Sequence, residues 1–245
     1  MGSEMCIRDR PKKKPDIRIV GSLKLNAFST PVDETFADQL RVAAGGRPIL
    51  LAASTHSPEE QILLKASQEV VRAGYPHLLI IAPRHSNRSQ GIARLMPQAA
   101  HRSKNQLPHS GDNHFLADSF GEMSSLVTAA DIVILGGSFV PKGGHNPLEI
   151  AAFSTPLITG PSQFKNKVEF DKLQQFGQCM TVKDGAALVK QLTIWLEVLR
   201  TDGRAIPQDN LDKACAYVKQ ACERPTKTAR LIIDRLPTQH HPNQN

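Results

Sequence analysis

The sequence predicts an α/β fold, a parallel sheet covered by helices on both faces and followed by a set of C-terminal helices. Three observations predict it. From Arg47 onward, short apolar runs alternate with stretches of helical periodicity, the pattern of β–α–β units. The apolar runs are continuous, as in ILLAA (49–53), LLIIA (78–82) and IVIL (132–135), which is how strands read when both faces are buried. The helical stretches open on capping residues and close on glycine.

Ahead of the alternation, residues 17–20 read as an edge strand and residues 31–41 as a helix. After the first strand, at 49–53, Ser57-Pro58-Glu59-Glu60 opens a helix. Ser57 is a good N-cap, Pro58 suits the first helical position, and Glu60 completes a capping box. Ile62, Ala66, Val70 and Ala73 make its inner stripe and Gly74 ends it. The strand at 78–82 runs directly into Pro83-Arg84-His85, and a helix follows over about 89–99. Residues 114–117 are a weaker strand, 121–130 a helix, and 132–135 the strongest strand. A glycine-rich loop, 136–145, leads into a helix at Pro147; residues 156–159 are another strand. Residues 166–176 form a helix with an Asn-x-x-Glu capping box and Gly177 at its end. In the tail, Leu188, Leu192, Trp195, Leu196 and Leu199 trace one helical face, Leu211, Cys215, Val218 and Cys222 a second, and Leu231, Ile232 and Leu236 a third.

Composition narrows the class. The 245 residues correspond to one large domain or two small ones at about 150 residues per domain. The net charge of +7 suits an anionic partner, although Lys12, Lys13 and Lys14 account for part of it. Aromatics are only 5% and no basic–aromatic strip is visible, so nucleic acid is not the expected partner. The four cysteines include no CxxC and no Cys/His spacing, so no metal site is expected. Cys215 and Cys222, seven apart on one stripe, read as buried core thiols. No apolar run is long enough to span a bilayer. Residues 1–10 (MGSEMCIRDR) lack an apolar signal-peptide core and read as an adapter or assembly scar. Residues 11–236 are expected to form the domain, with 237–245 as a disordered polar tail.

In an open α/β sheet, ligands bind beyond the carboxyl ends of the strands. Four ends here carry polar sequence: Ser54-Thr55-His56, Pro83-Arg84-His85, the run 118–123 containing Gly121, Glu122 and Met123, and the loop GGSFVPKGGHN. In a parallel sheet these would meet at one crevice. The loop with the helix after it, GGSFVPKGGHNPLE, is the richest. Its paired glycines, Gly143 and Gly144 included, let backbone approach a ligand closely. Lys142 adds positive charge, and the helix start at Pro147 and Leu148 would offer N–H groups to a phosphate. Glu149 fits two roles, a ribose hydrogen-bond acceptor or the second half of a capping box with Asn146. Arg84 matches phosphate oxygens with its fork. His56, His85 and His145 all fall at strand or loop ends, where each could line the site or serve as a structural hydrogen-bonder. No Ser-His-Asp order, GxxxxGK[ST] or GxGxxG is present.

GSLK (21–24), AASTH (52–56), PRH (83–85), Gly121-Glu122-Met123, GGSFVPKGGHNPLEIAA (136–152) and Gly160-Pro161 occur in this order. Together they resemble the C-terminal half of the Kdo (3-deoxy-D-manno-octulosonic acid) transferases of lipopolysaccharide synthesis. The resemblance implies a GT-B fold, with this chain as its Rossmann-like donor-binding domain over 11–236. It implies CMP-Kdo as donor substrate with no cofactor and no metal, and inverting transfer to a lipid A precursor. The acceptor would be held by an N-terminal domain, at the cytoplasmic face of the inner membrane. By motif, Pro83 and Arg84 would meet the phosphate region. Gly121, Glu122 and Met123 would meet cytosine through backbone groups, and Asn146, Pro147, Leu148 and Glu149 the ribose and phosphate. Ser54, Thr55, His56, His85, Lys142, Gly143, Gly144 and His145 would line the site. The family's general base is a glutamate of the N-terminal domain, so no catalytic residue is assigned here, and the chain alone is expected to be inactive. Phe120 and the polar run GPSQFKNKVE depart from the family pattern. The alternatives are another GT-B transferase using a different nucleotide sugar, and a non-catalytic nucleotide-binding module.

Overall fold

The computed structural model describes residues 31–235. Residues 31–220 belong to one compact unit and 221–235 to a second. The expected strand at 17–20, the GSLK run, Leu236, the first ten residues and the tail lie outside the described residues.

The order is α1 (Glu34–Ala44), β1 (Ile49–Thr55), α2 (Glu59–Arg72), β2 (Leu78–Pro83), α3 (Ser89–Leu95), β3 (Ala100–His101), β4 (His114–Leu116), α4 (Met123–Ala129) and β5 (Ile132–Leu135). It continues with α5 (Leu148–Ala151), β6 (Leu157–Thr159), α6 (Lys167–Gln175), β7 (Cys179–Thr181), α7 (Gly185–Asp202), α8 (Gln208–Cys222) and α9 (Arg224–Ile233). The seven strands form one parallel sheet in the order β3-β4-β2-β1-β5-β6-β7. The chain builds outward from β1 to one edge, returns to β5 on the other side of β1, and builds to the opposite edge. The topological switch point, where ligands bind in such sheets, lies between β1 and β5.

The apolar runs expected as strands are strands, and their side chains are fully buried because helices cover both faces. Leu188, Leu192, Trp195 and Leu196 of α7 join one continuous core with β1, β2, β5 and α2, as the helical stripe implies. Burial of each such side chain contributes about 1.5–3 kcal/mol.

Several boundaries and faces differ from the sequence reading. The buried face of α2 runs through Glu59, Leu63, Ala66, Ser67 and Val70, whereas Ala73 is exposed. The stripe starts on a carboxylate, which an apolar pattern does not reveal. The helix expected over 89–99 stops at Leu95, because Met96 precedes Pro97 and leaves the helical region at φ −132°, ψ 64°. α4 starts at Met123, since Gly121 sits at φ +83°. β3 and β7 were not expected: both are short edge strands with little apolar signal, and Met180 of β7 is exposed. On α8 the inner stripe is Leu211, Ala214 and Val218. Cys215 and Cys222 are only partly buried and are not core thiols; among the described residues Cys179 is the buried cysteine, and burial pushes its thiol up to about 12. In the second unit, α9 has no buried residue, so the face expected from Leu231 and Ile232 is not a core face there.

Candidate functional site

The ends of β1 and β5 meet at the switch point, and two histidines meet with them. His56 and His145 stack with ring centroids 5.1 Å apart and planes 4° apart, and their Nε2 atoms are 2.9 Å from each other. His85, from the end of β2, packs edge-on to His56 at 5.7 Å. Burial lowers the His145 pKa to about 4, helped by the charges of His56, Arg84, Lys165 and His85. Burial also lowers His56; Glu59 opposes this, while His85, Lys142 and Arg88 add to it. Both rings are therefore neutral near pH 7, and one donates its N–H to the other.

The same electrostatics show what surrounds the crevice. The Arg84 charge acts on His145 from the β2 end and on Glu149 from α5. Lys142 and Lys165 bring positive charge from the β5–α5 and β6–α6 loops. Three of the strand-end segments, together with α5, thus lie along one edge of the sheet rich in cations and uncharged imidazoles, an arrangement suited to holding an anion. Glu149 reaches solvent, yet crowding by protein pushes its carboxyl up; Asn146 Nδ2, at 3.4 Å, and Arg84 oppose this.

The glycine-rich loop is used differently from the expectation. A Cβ on Gly136 would collide with the backbone of Ser54 and Thr55, and one on Gly144 would press into the Phe170 ring. Gly160 is likewise backed against Ser138. These glycines allow protein to approach protein. The loop amides are also committed internally: Gly137, Ser138 and Phe139 donate to the Glu59 carboxylate, Gly143 to Ser162 Oγ, and Gly144 to the Gly137 carbonyl. Gly143 and Gly144 are buried, and Gly137 turns the loop at φ +67°.

The two Asn-x-x-Glu capping boxes do not form. Asn146 Oδ1 accepts from Leu148 N, Pro147 is the N-cap, and α5 is a single turn. A one-turn helix carries little dipole, so positive charge at this edge comes from side chains. The Asn166 side chain donates to the Gly144 carbonyl, tying α6 to the glycine loop. The Ser57 cap is absent as well. Glu60 turns to Thr55 Oγ1 at 2.6 Å and to Arg88 at 2.8 Å.

Among the expected site residues, Thr55 is wholly buried and occupied by Glu60, so it does not line the crevice. Pro147 and Leu148 are buried, leaving only their backbone for contact. Ser54 is half-buried in left-handed backbone at φ +55°, where the β1–β2 register shifts. Pro83, the last residue of β2, is half-buried, and Arg84, His85 and Lys142 are exposed. Burial works to raise the Glu122 carboxyl, but hydrogen bonds from Arg102 and Ser119 outweigh it and hold it low. Arg102 in turn lies 4.2 Å over the Phe36 ring. The Glu122 side chain thus ties the β4–α4 loop to α1 through Arg102, which leaves the backbone of 121–123 and the half-buried Met123 side chain to meet a ligand. The sequence reading missed Glu59, Arg88, Lys165 and Asn166. Glu59 has one signal, its position four residues before Leu63 on the buried stripe.

No family model matches the chain. The fold and crevice define a Rossmann-like domain of the kind found as the C-terminal half of GT-B glycosyltransferases. A glycosyltransferase from Rickettsia africae shares the fold at a TM-score of 0.54 and 13% identity, over 84% of this chain and 57% of that one. The crystal structure of the C-terminal CMP-Kdo binding domain of WaaA from Acinetobacter baumannii matches with a TM-score of 0.65 and 28% identity, covering 76% of this chain and 98% of that domain. The chain is 40% identical to the 3-deoxy-D-manno-octulosonic acid transferase of Haemophilus influenzae over 160 residues, 63% of this chain and 37% of that protein. It is 31% identical to that of Rickettsia conorii over 181 residues, 72% and 39%. The chain is similar to the 3-deoxy-D-manno-octulosonic acid transferases and spans well under half the length of these curated relatives.

Proposed function

We propose that the chain is the donor-binding domain of a Kdo transferase and holds CMP-Kdo at the β1–β5 crevice. In the whole enzyme, Kdo would pass with inversion, and without a metal ion, to a lipid A precursor held by a further domain at the inner membrane. The observation that carries the reading is the shared strand-end edge, where His56, His85 and His145 pack together and the Arg84 charge reaches both His145 and Glu149. The likeness to a CMP-Kdo binding domain over nearly its full length supports the choice of donor.

In this reading Arg84, Lys142 and Lys165 neutralise the phosphate. Such charge assistance also stabilises the negative charge that grows on the leaving nucleotide as the glycosidic bond breaks. Glu149, exposed and with only a long Asn146 contact, accepts hydrogen bonds from the ribose hydroxyls. The backbone of Gly121, Glu122 and Met123 reads the base. We assign no general base among the described residues, so the chain alone should bind donor and transfer nothing.

Calorimetric titration with CMP, UDP and GMP tests the reading. CMP is expected to bind best, and Glu149→Ala to weaken it. Equal affinity for the three nucleotides, or sugar transfer by the chain alone, would refute it.

A further inference from the structure

We propose that Glu59 is a positioning residue that sets the geometry of the crevice without touching the ligand. The inference rests on the nucleotide-binding reading above. Glu59 is fully buried (0% exposed) at the start of α2. Its Oε2 accepts from the backbone N–H of His56 at 2.8 Å and of Gly137 at 2.8 Å. Its Oε1 accepts from Ser138 at 3.0 Å and from Phe139 at 2.9 Å. A carboxylate is costly to bury unless its lone pairs are filled, and here four amides fill them.

These four amides come from the two strand ends that make the switch point, 78 to 80 residues apart from Glu59 on the β5 side. One carboxylate therefore grips the backbone beneath His56 and the backbone from which the glycine loop departs. The loop then closes on itself through Gly144 N to the Gly137 carbonyl and carries Lys142 and His145 to the crevice. The 2.9 Å contact between His56 and His145 depends on both backbones being held to one anchor.

The adjacent Glu60 is a built-in comparison. It is equally buried (2% exposed), but it faces the other way, toward Thr55 and Arg88, and has no hydrogen bond with the glycine loop. Glu59→Gln keeps the side-chain volume while replacing one oxygen with an amino group, so two of the four amides would face a donor. Glu60→Gln makes the same chemical change on the other side.

The test compares the two variants with the unaltered chain in CMP calorimetry, thermal melting and amide hydrogen exchange. Both variants should melt lower. Glu59→Gln should weaken CMP by about tenfold or more, since small misplacements at a preorganised site are costly, and should speed exchange at one amide pair, His56 with Gly137 or Ser138 with Phe139. Glu60→Gln should keep CMP affinity within about twofold. Equal losses of affinity in both variants, or a Glu59→Gln protein that binds CMP like the unaltered chain, would overturn the proposal. If Glu59→Gln does not fold, Glu59→Asp, which keeps the charge but draws it back by one carbon, is judged by the same two readouts. If the unaltered chain does not bind CMP, the nucleotide reading fails. The positioning role is then judged by exchange alone: faster exchange confined to those amides upholds it, and unchanged exchange overturns it.

Discussion

Acidification is expected to weaken the fold through His145, and His145→Gln to remove most of that dependence. His145 titrates near 4 in the folded protein against an ordinary 6.5, chiefly because burial strips water from the ring. The unfolded chain therefore binds the proton first. The stabilisation is complete above about pH 6.5 and is lost as pH falls from there through about 4. At about 1.36 kcal/mol for each tenfold change in proton affinity, the depression corresponds to at most about 3 kcal/mol. The ring is partly exposed, and screening brings this to about 1–2 kcal/mol. Geometry agrees with the sign: once both rings carry a proton, each Nε2 is a donor, and the 2.9 Å hydrogen bond cannot form between stacked like charges. The assay is urea unfolding followed by the fluorescence of Trp195, the sole tryptophan, which is 5% exposed. Midpoints at pH 7.5, 6.0, 5.0 and 4.5 would be compared between the unaltered chain and His145→Gln. Carboxylates and the buried histidines His77 and His114, which burial also holds low, shift both proteins alike, so the difference between the two curves isolates the His56–His145 pair. Parallel curves between pH 6.5 and 4.5 would refute the reasoning.

Three further outcomes are expected. Gly136→Ala should destabilise by about 3 kcal/mol, the upper part of the overpacking range, because the added methyl meets the Ser54–Thr55 backbone rather than a side chain that can turn away. A melting temperature within about 2 °C of the unaltered chain would contradict this. Arg84→Ala should weaken CMP by about 10- to 100-fold, the range of a hydrogen bond to a charged group, and leave melting unchanged because Arg84 is exposed. Arg84→Lys should restore only part of it, and unchanged affinity in the alanine variant would remove Arg84 from the site. CMP affinity should be indifferent to excess EDTA, since Arg84, Lys142 and Lys165 supply the positive charge; a tenfold loss would show that a metal ion takes part.

The central strands β1, β2, β4, β5 and β6 and their parallel arrangement could be read from the sequence. Continuous apolar runs such as LLIIA have few other uses, and the chain order of β–α units leaves little choice of topology. The meeting of His56, His85 and His145, from the ends of β1, β2 and β5, followed from that order. Only the tertiary structure decided where the polar groups between the elements go. Ser57, Asn146 and Asn166 each stand at a helix start with a glutamate three residues on, and none forms its capping box. A cap is a local hydrogen bond available to many chains, whereas Glu60 finds Arg88 and Asn166 finds the Gly144 carbonyl only after folding has brought distant segments together. The glycines of the 136–145 loop show the same division. Their presence signals that something comes close, but the identity of the neighbour, the Ser54 backbone or the Phe170 ring, is set by packing between elements far apart in the chain.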